Sequence, residues 1–116
     1  MKVKVNEASG PVLDWMVAKC EEANIGEGYY TGIVLRDGEV KYAPSIDWAQ
    51  AGPIIEREML APEPLLDTNC ALIKWRCRNW KGDGSDFCGP TPLIAAMRCF
   101  VASKLGDEVD VPEELR

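Results

Sequence analysis

The chain contains no histidine. The commonest general base is therefore missing, together with the serine and cysteine dyads that depend on it. Few other groups could do chemistry. Asp83 and Asp86 could form a carboxylate pair, but the run Gly82-Asp83-Gly84-Ser85-Asp86 also reads as a solvated turn. It does not fit a calcium loop, because Phe87 occupies the third ligand position and no glutamate closes the loop. No glycine pattern suited to cradling a phosphate is present. The five cysteines, Cys20, Cys70, Cys77, Cys88 and Cys99, are odd in number and contain no Cys-x-x-Cys pair. Their spacing matches no standard zinc pattern. The expectation is a protein without catalytic residues, cofactor or metal.

Binding is better supported by the residue types. Lys74, Arg76, Arg78 and Trp80 share parity, so a strand through them would present three cations and a stacking ring to one side. Arg98 or Lys81 could extend that patch. Long charged side chains on a half-exposed strand are also a common guard against aggregation, and the chain as a whole carries −6, unlike most nucleic-acid binders. Trp15 lies beside the apolar stripe of its helix and Trp48 falls in a turn. Both are amphipathic anchors of the type enriched at interfaces. The candidate contact set is thus Trp15, Trp48, Lys74, Arg76, Arg78 and Trp80. A protein partner is the first reading. A nucleic acid on the basic strand face is the second, and a small nucleotide held there or by the Gly82–Gly89 loop is the third.

The charge is divided along the chain. Residues 1–69 hold 12 acids and 6 bases, residues 70–106 hold 2 and 6, and residues 107–116 hold 5 and 1. A basic segment therefore lies between acidic flanks, either as a solvated mixed surface or screened by the acidic end until a partner displaces it. The 116 residues fit one domain, expected over 1–106, with 107–116 as an acidic tail. No apolar run approaches the ~20 residues of a membrane span, and the alternating start carries no signal-peptide core.

These residues must be positioned by a mixed set of elements. Residues 2–5 alternate as a short strand. Ser9 and Pro11 open a helix over about 10–23, with Leu13, Met16, Val17 and Cys20 on its buried stripe. Asp37-Gly38 suits a two-residue hairpin turn within 30–43, which would set Leu35 opposite Val40 and Arg36 opposite Glu39. Pro53 fits best near a helix start, giving a second helix at about 52–60 with Ile54, Ile55 and Met59 inward. Pro62 and Pro64 then act as breakers. Residues 70–79 alternate as a strand with one solvated face, and 80–89 read as a loop. Thr91-Pro92 opens a third helix over 91–105, and Gly106 stops it. The expected class is α+β: a small antiparallel sheet of the N-terminal strand, the hairpin and strand 70–79, packed with three helices.

Four blocks carry a resemblance. Leu13–Lys19, Pro44–Glu56, Gly89–Arg98 and Val101–Val109, in that order, resemble the NinX family of temperate-phage accessory proteins, and more distantly small phage helix–sheet–helix sandwich domains. The match spans nearly the whole chain and is weakest over 20–43 and 62–88. The resemblance implies a phage or prophage gene product made in the host bacterial cytoplasm and dispensable for building the particle. It brings no catalytic residues. It also implies action by binding a host protein, including one used in defence.

Native mass spectrometry is expected to return the mass of the metal-free chain with all five thiols reduced. A bound zinc ion, or a mass lower by a pair of hydrogens per bridge, would overturn that expectation.

Overall fold

In the computed structural model, residues 1–21, 35–36, 40–78, 80, 84–111 and 113 are described. The chain runs β1 (Lys2–Lys4), a 3-10 turn (Val5–Glu7), α1 (Gly10–Cys20), β2 (Leu35–Arg36), β3 (Val40–Lys41), α2 (Trp48–Glu58), β4 (Ala61–Leu66), β5 (Leu72–Arg78), β6 (Asp86–Gly89), α3 (Pro92–Leu105) and β7 (Glu108–Asp110). The class is α+β. Among the described residues the strands form three small antiparallel sheets, β1–β7, β2–β3 and β4–β5–β6, in place of the single sheet expected.

Helix α3 is the centre of the packing. Thr91 caps it, its Oγ1 accepting from the Ile94 amide at 3.1 Å, and Pro92 occupies the first turn where no amide is needed. Leu93, Ala95, Ala96, Met97, Cys99, Phe100 and Val101 are all buried. A helix apolar on nearly every side is one surrounded by other elements. On one side lies the inner face of the three-stranded sheet, with Cys77 fully buried. On the others lie Leu13, Met16 and Val17 of α1, Ile54 of α2, and Val109 and Val111 at the chain's end.

Four stretches depart from the sequence reading. Pro62 and Pro64 sit within β4 and do not break it. Since β4 is an edge strand and both prolines share parity, their nitrogens occupy the positions whose amides would point away from β5. Residues 86–89, read as loop, form β6 and pair with Trp75–Arg78. Glu108–Asp110, read as acidic tail, form β7 against β1, with Val3 opposite Val109. Helix α2 begins at Trp48, four residues earlier than expected, because Asp47 caps it by accepting from the Ala49 amide at 2.9 Å. Pro53 is therefore inside the helix. Gly52 before it has no Cβ to meet the proline ring, the contact that normally disfavours helix at that position. Met59 ends α2 in the left-handed conformation and is exposed, not inward.

The hairpin expected around Asp37-Gly38 is present as β2–β3 with a different register. Leu35 pairs with Lys41 and Arg36 with Val40, leaving residues 37–39 as a three-residue connection. That length is the next commonest after two, and it shifts the pairing by one position. Asp37, Gly38 and Glu39 themselves lie outside the described residues, as do 22–34 at the expected end of the first helix.

Gly89 is the tightest point between sheet and helix. A Cβ there would stand 2.8 Å from Ile94 Cγ2 and 3.0 Å from the Ala95 amide nitrogen. Gly89→Ala is expected to cost about 1–3 kcal/mol through overpacking. That corresponds to a melting temperature lower by roughly 4–12 °C. An unchanged melting curve by circular dichroism would show that β6 is free to move off α3.

Candidate functional site

The sequence reading placed four candidate residues on one strand face, and the sheet does bring most of them together. Arg76 pairs in register with Glu63 on one side and Cys88 on the other, and Arg78 with Asp86. Both arginines are engaged across the sheet. Arg76 donates from Nε (2.9 Å) and Nη2 to Glu63 Oε1, and its Nη1 lies 3.9 Å from Asp86 Oδ2. Arg78 donates from Nε to Asp86 Oδ1 at 2.8 Å and from Nη2 to Oδ2 at 3.4 Å. The Arg78 guanidinium holds the Asp86 carboxyl below the usual range. Its carbon also lies 5.1 Å from the centre of the Trp80 ring, which is exposed. Lys74 is exposed opposite Leu65. The face is therefore a lattice of cross-strand ion pairs, with far less free positive charge than its residue types suggest.

Arg98 does not extend this face. It is half-buried, and it donates from Nε to the Ala8 carbonyl at 2.8 Å and from Nη1 to the Cys88 carbonyl at 2.7 Å. It is a tie between the N-terminal turn, β6 and α3, and burial lowers its pKa. Lys81 and Asp83 lie outside the described residues.

The two remaining tryptophans separate. Trp15 is 8% exposed and belongs to the core, so it is not a surface contact residue. Trp48 is 57% exposed, next to Ile46 at 73%. Both project because the turn before α2 is pinned from below. The Ala43 amide donates to Gln50 Oε1 at 2.5 Å, the amides of Ile46 and Asp47 donate to the Ala43 carbonyl, and the buried Ser45 amide donates to Asp14 Oδ1 at 2.8 Å. Ser45 is thus held inward, while Ile46 and Trp48 on either side of Asp47 are exposed.

Between this turn and the first turn of α3 runs a groove of about 220 Å³, lined by Ser45, Ile46, Trp48 and Thr91–Ile94. Sequence reading found Trp48 but missed Ile46 and the groove. The available signal was an isoleucine off every helical stripe, beside two helix caps, Asp47 and Thr91, that only the fold brings together.

Among the described residues, no group of three or more Cys, Asp or Glu is placed to hold a metal ion. Cys77 and Cys99 are fully buried, and burial beside Glu21 pushes the Cys20 thiol up to about 12, which suppresses thiolate chemistry. No described helix is long and apolar enough to cross a membrane.

Fold and surface together define a small α+β protein whose central helix meets a pinned turn at one shallow, apolar-rimmed groove. The sequence profile described as "Bacteriophage P22, NinX" matches residues 4–104, and the chain belongs to that family. It is thus a phage accessory protein. No curated protein matches the chain.

Asp86 gives a direct check on the sheet face. A carboxyl held below its unfolded value stabilises the fold above that value, and the contribution is lost as pH falls through the folded pKa. Arg78→Gln should therefore raise the Asp86 pKa toward about 3.9, read by carboxyl-carbon NMR titration. The stability difference between variant and parent should be present near neutral pH and shrink below about pH 4. A pKa unmoved by the substitution would show that the Arg78–Asp86 contact is not formed in solution.

Proposed function

We propose that this chain acts without catalysis, by binding a protein of the bacterial host through the surface around Trp48. One observation carries the reading: Trp48 and Ile46 stand exposed on a rigidly held turn beside an apolar groove. Large exposed apolar side chains grouped on fixed backbone are a mark of protein-binding surfaces, and interface energy concentrates in a few such anchors, tryptophan foremost. Membership of a phage accessory family supplies the setting, in which a host defence enzyme is a target of the right class and its inhibition the outcome.

A nucleic acid is the weaker reading, because Glu63 and Asp86 already engage Arg76 and Arg78. Phosphate binding there would have to displace both carboxylates. The same objection applies to a small nucleotide held on that face.

Affinity capture from host lysate, with and without nuclease, tests the reading. A protein should be retained in both cases. Trp48→Ala should weaken its capture by about 2 kcal/mol or more, roughly thirtyfold, while stability changes by no more than about 0.5 kcal/mol. Arg76→Ala, on the face turned away from α3, should leave capture intact. Material lost on nuclease treatment, or capture sensitive to Arg76 and not to Trp48, would defeat the proposal.

A further inference from the structure

The β4–β5 hairpin reaches past the body of the fold. Strand β6 stops at Gly89, opposite Trp75, and α3 begins at that level, with Ile94 and Ala95 against Gly89. Beyond it every residue from Leu66 to Lys74 is exposed, including Leu66 at 50%, Leu72 at 54% and Ile73 at 62%. Two strands with neither face covered are marginal in water, yet this tip is closely built. Asp67 Oδ1 accepts from the amides of Asn69 and Ala71 at 2.8 and 2.9 Å, and the Asp67 amide donates to the Ala71 carbonyl at 2.9 Å. The hairpin end is a formed arm with apolar side chains in water.

Both edges of the arm are closed to a further strand. Pro62 and Pro64 remove two amides from the outer edge of β4. On β5 the pairing passes from Leu65–Lys74 to Leu66–Leu72, so Ile73 is an extra residue, a β-bulge that turns the edge away. Contact is therefore left to the faces. Cys77, opposite Pro62, is fully buried and marks the inner face of the sheet. By alternation the pairs Pro64–Trp75 and Leu66–Leu72 carry that face on past α3. This continuation holds no charged side chain.

Charge selects what can lie on it. Two copies of a chain of net charge −6 repel each other over most of their surface, and in a two-fold pair a surface must meet itself. The uncharged strip meets itself without penalty. Residues 64–74 hold one acid and one base, Asp67 at the tip and Lys74 nearer the body. Lys74 is exposed and stands opposite Leu65, not opposite an acid. Antiparallel arms set the tip of one copy beside the root of the other, so Asp67 and Lys74 of the two copies approach as unlike charges at both ends of the contact.

We propose that the chain pairs with a second copy of itself through this arm, about a two-fold axis, with the Leu66–Leu72 and Pro64–Trp75 strips packed face to face and the arms antiparallel. A face two strands wide falls short of the roughly 800 Å² per partner of a stable interface. The pair is accordingly weak, with a Kd on the order of 0.1 mM. It does not use Trp48, so self-association and host-protein capture are separable.

Sedimentation velocity on the whole chain, from micromolar to millimolar concentration, tests this. The average mass should rise from one chain toward two and stop there. Leu72→Asp, which sets two carboxylates across the apolar strip, should weaken pairing at least tenfold. Lys74→Glu should weaken it at least threefold by facing Asp67 with a second acid. Both side chains are exposed, so each variant should melt in dilute solution within about 4 °C of the parent. Trp48→Ala should leave pairing unchanged. A single-chain mass at every concentration would overturn the proposal, as would growth beyond two chains. So would pairing that survives Leu72→Asp or is lost with Trp48→Ala. Unfolding of Leu72→Asp in dilute solution would make Leu72 a core residue and defeat the arm as a contact surface. Pairing indifferent to Lys74→Glu would rule out the antiparallel arrangement.

Discussion

The guanidinium of Arg57 is the point on which the helical arrangement depends. The C-terminal ends of α1, α2 and α3 converge around it, through Glu21, Arg57–Glu58 and Lys104 respectively. Three helix C-termini at one place bring together three negative dipole ends, and Glu21 and Glu58 add two carboxylates. Arg57 answers this charge directly. Its Nη1 and Nη2 donate to the two oxygens of Glu21 at 3.2 and 2.5 Å, its Nε donates to Glu58 Oε2 at 2.9 Å, and its carbon lies 5.8 Å from the centre of the Phe100 ring. Lys104 adds a second cation, 3.5 Å from Glu58. The forked geometry matters, because a lysine at 57 could not engage Glu21 with two parallel bonds. Glu21 is buried, so loss of Arg57 would take a two-bond cationic partner away from a desolvated carboxylate, which is costly.

The same arrangement shapes the groove. With α2 and α3 joined at their C-terminal ends through Glu58 and Lys104, and their first turns lining one groove, the two helices run alongside each other in the same direction. One end of the pair is closed by charge. The other is open, apolar and fixed by the bonds of the Ala43–Asp47 turn. The surface that carries Trp48 is therefore presented on a turn held by several hydrogen bonds, so engaging a partner costs little ordering.

Much of this architecture was readable from residue order, and the failures have definite causes. Thr91-Pro92 marks the start of α3 and Gly106 its end because capping is local chemistry. Apolar spacing likewise marks Leu13, Met16 and Val17 as buried in α1, but it leaves Trp15 beside the stripe although that residue is buried, and it puts Cys20 inside although that residue is only partly buried. Strands β4, β6 and β7 were not readable. Prolines in β4 argue against a strand unless it is known to lie at a sheet edge, and the acidic residues of β7 become a strand only because β1 lies alongside. Charge was the other weak point. Lys74, Arg76 and Arg78 form a basic row along the chain, but Glu63 and Asp86 on neighbouring strands cancel most of it, and no spacing rule within one strand shows that. The groove failed for the same reason, since its walls come from segments some 45 residues apart.

The pairing of β1 with β7 also bears on how the chain reaches this state. Lys2–Lys4 must find Glu108–Asp110, closing a loop of more than a hundred residues. By chain statistics that closure costs about 4 kcal/mol of entropy, set against a ladder three residues long. The block from β4 through α3, by contrast, is contiguous in sequence and joined by short connections. Kinetic order follows from this asymmetry: the block around α3 is the natural nucleus, and the two ends of the chain are the last to come together and the first to part.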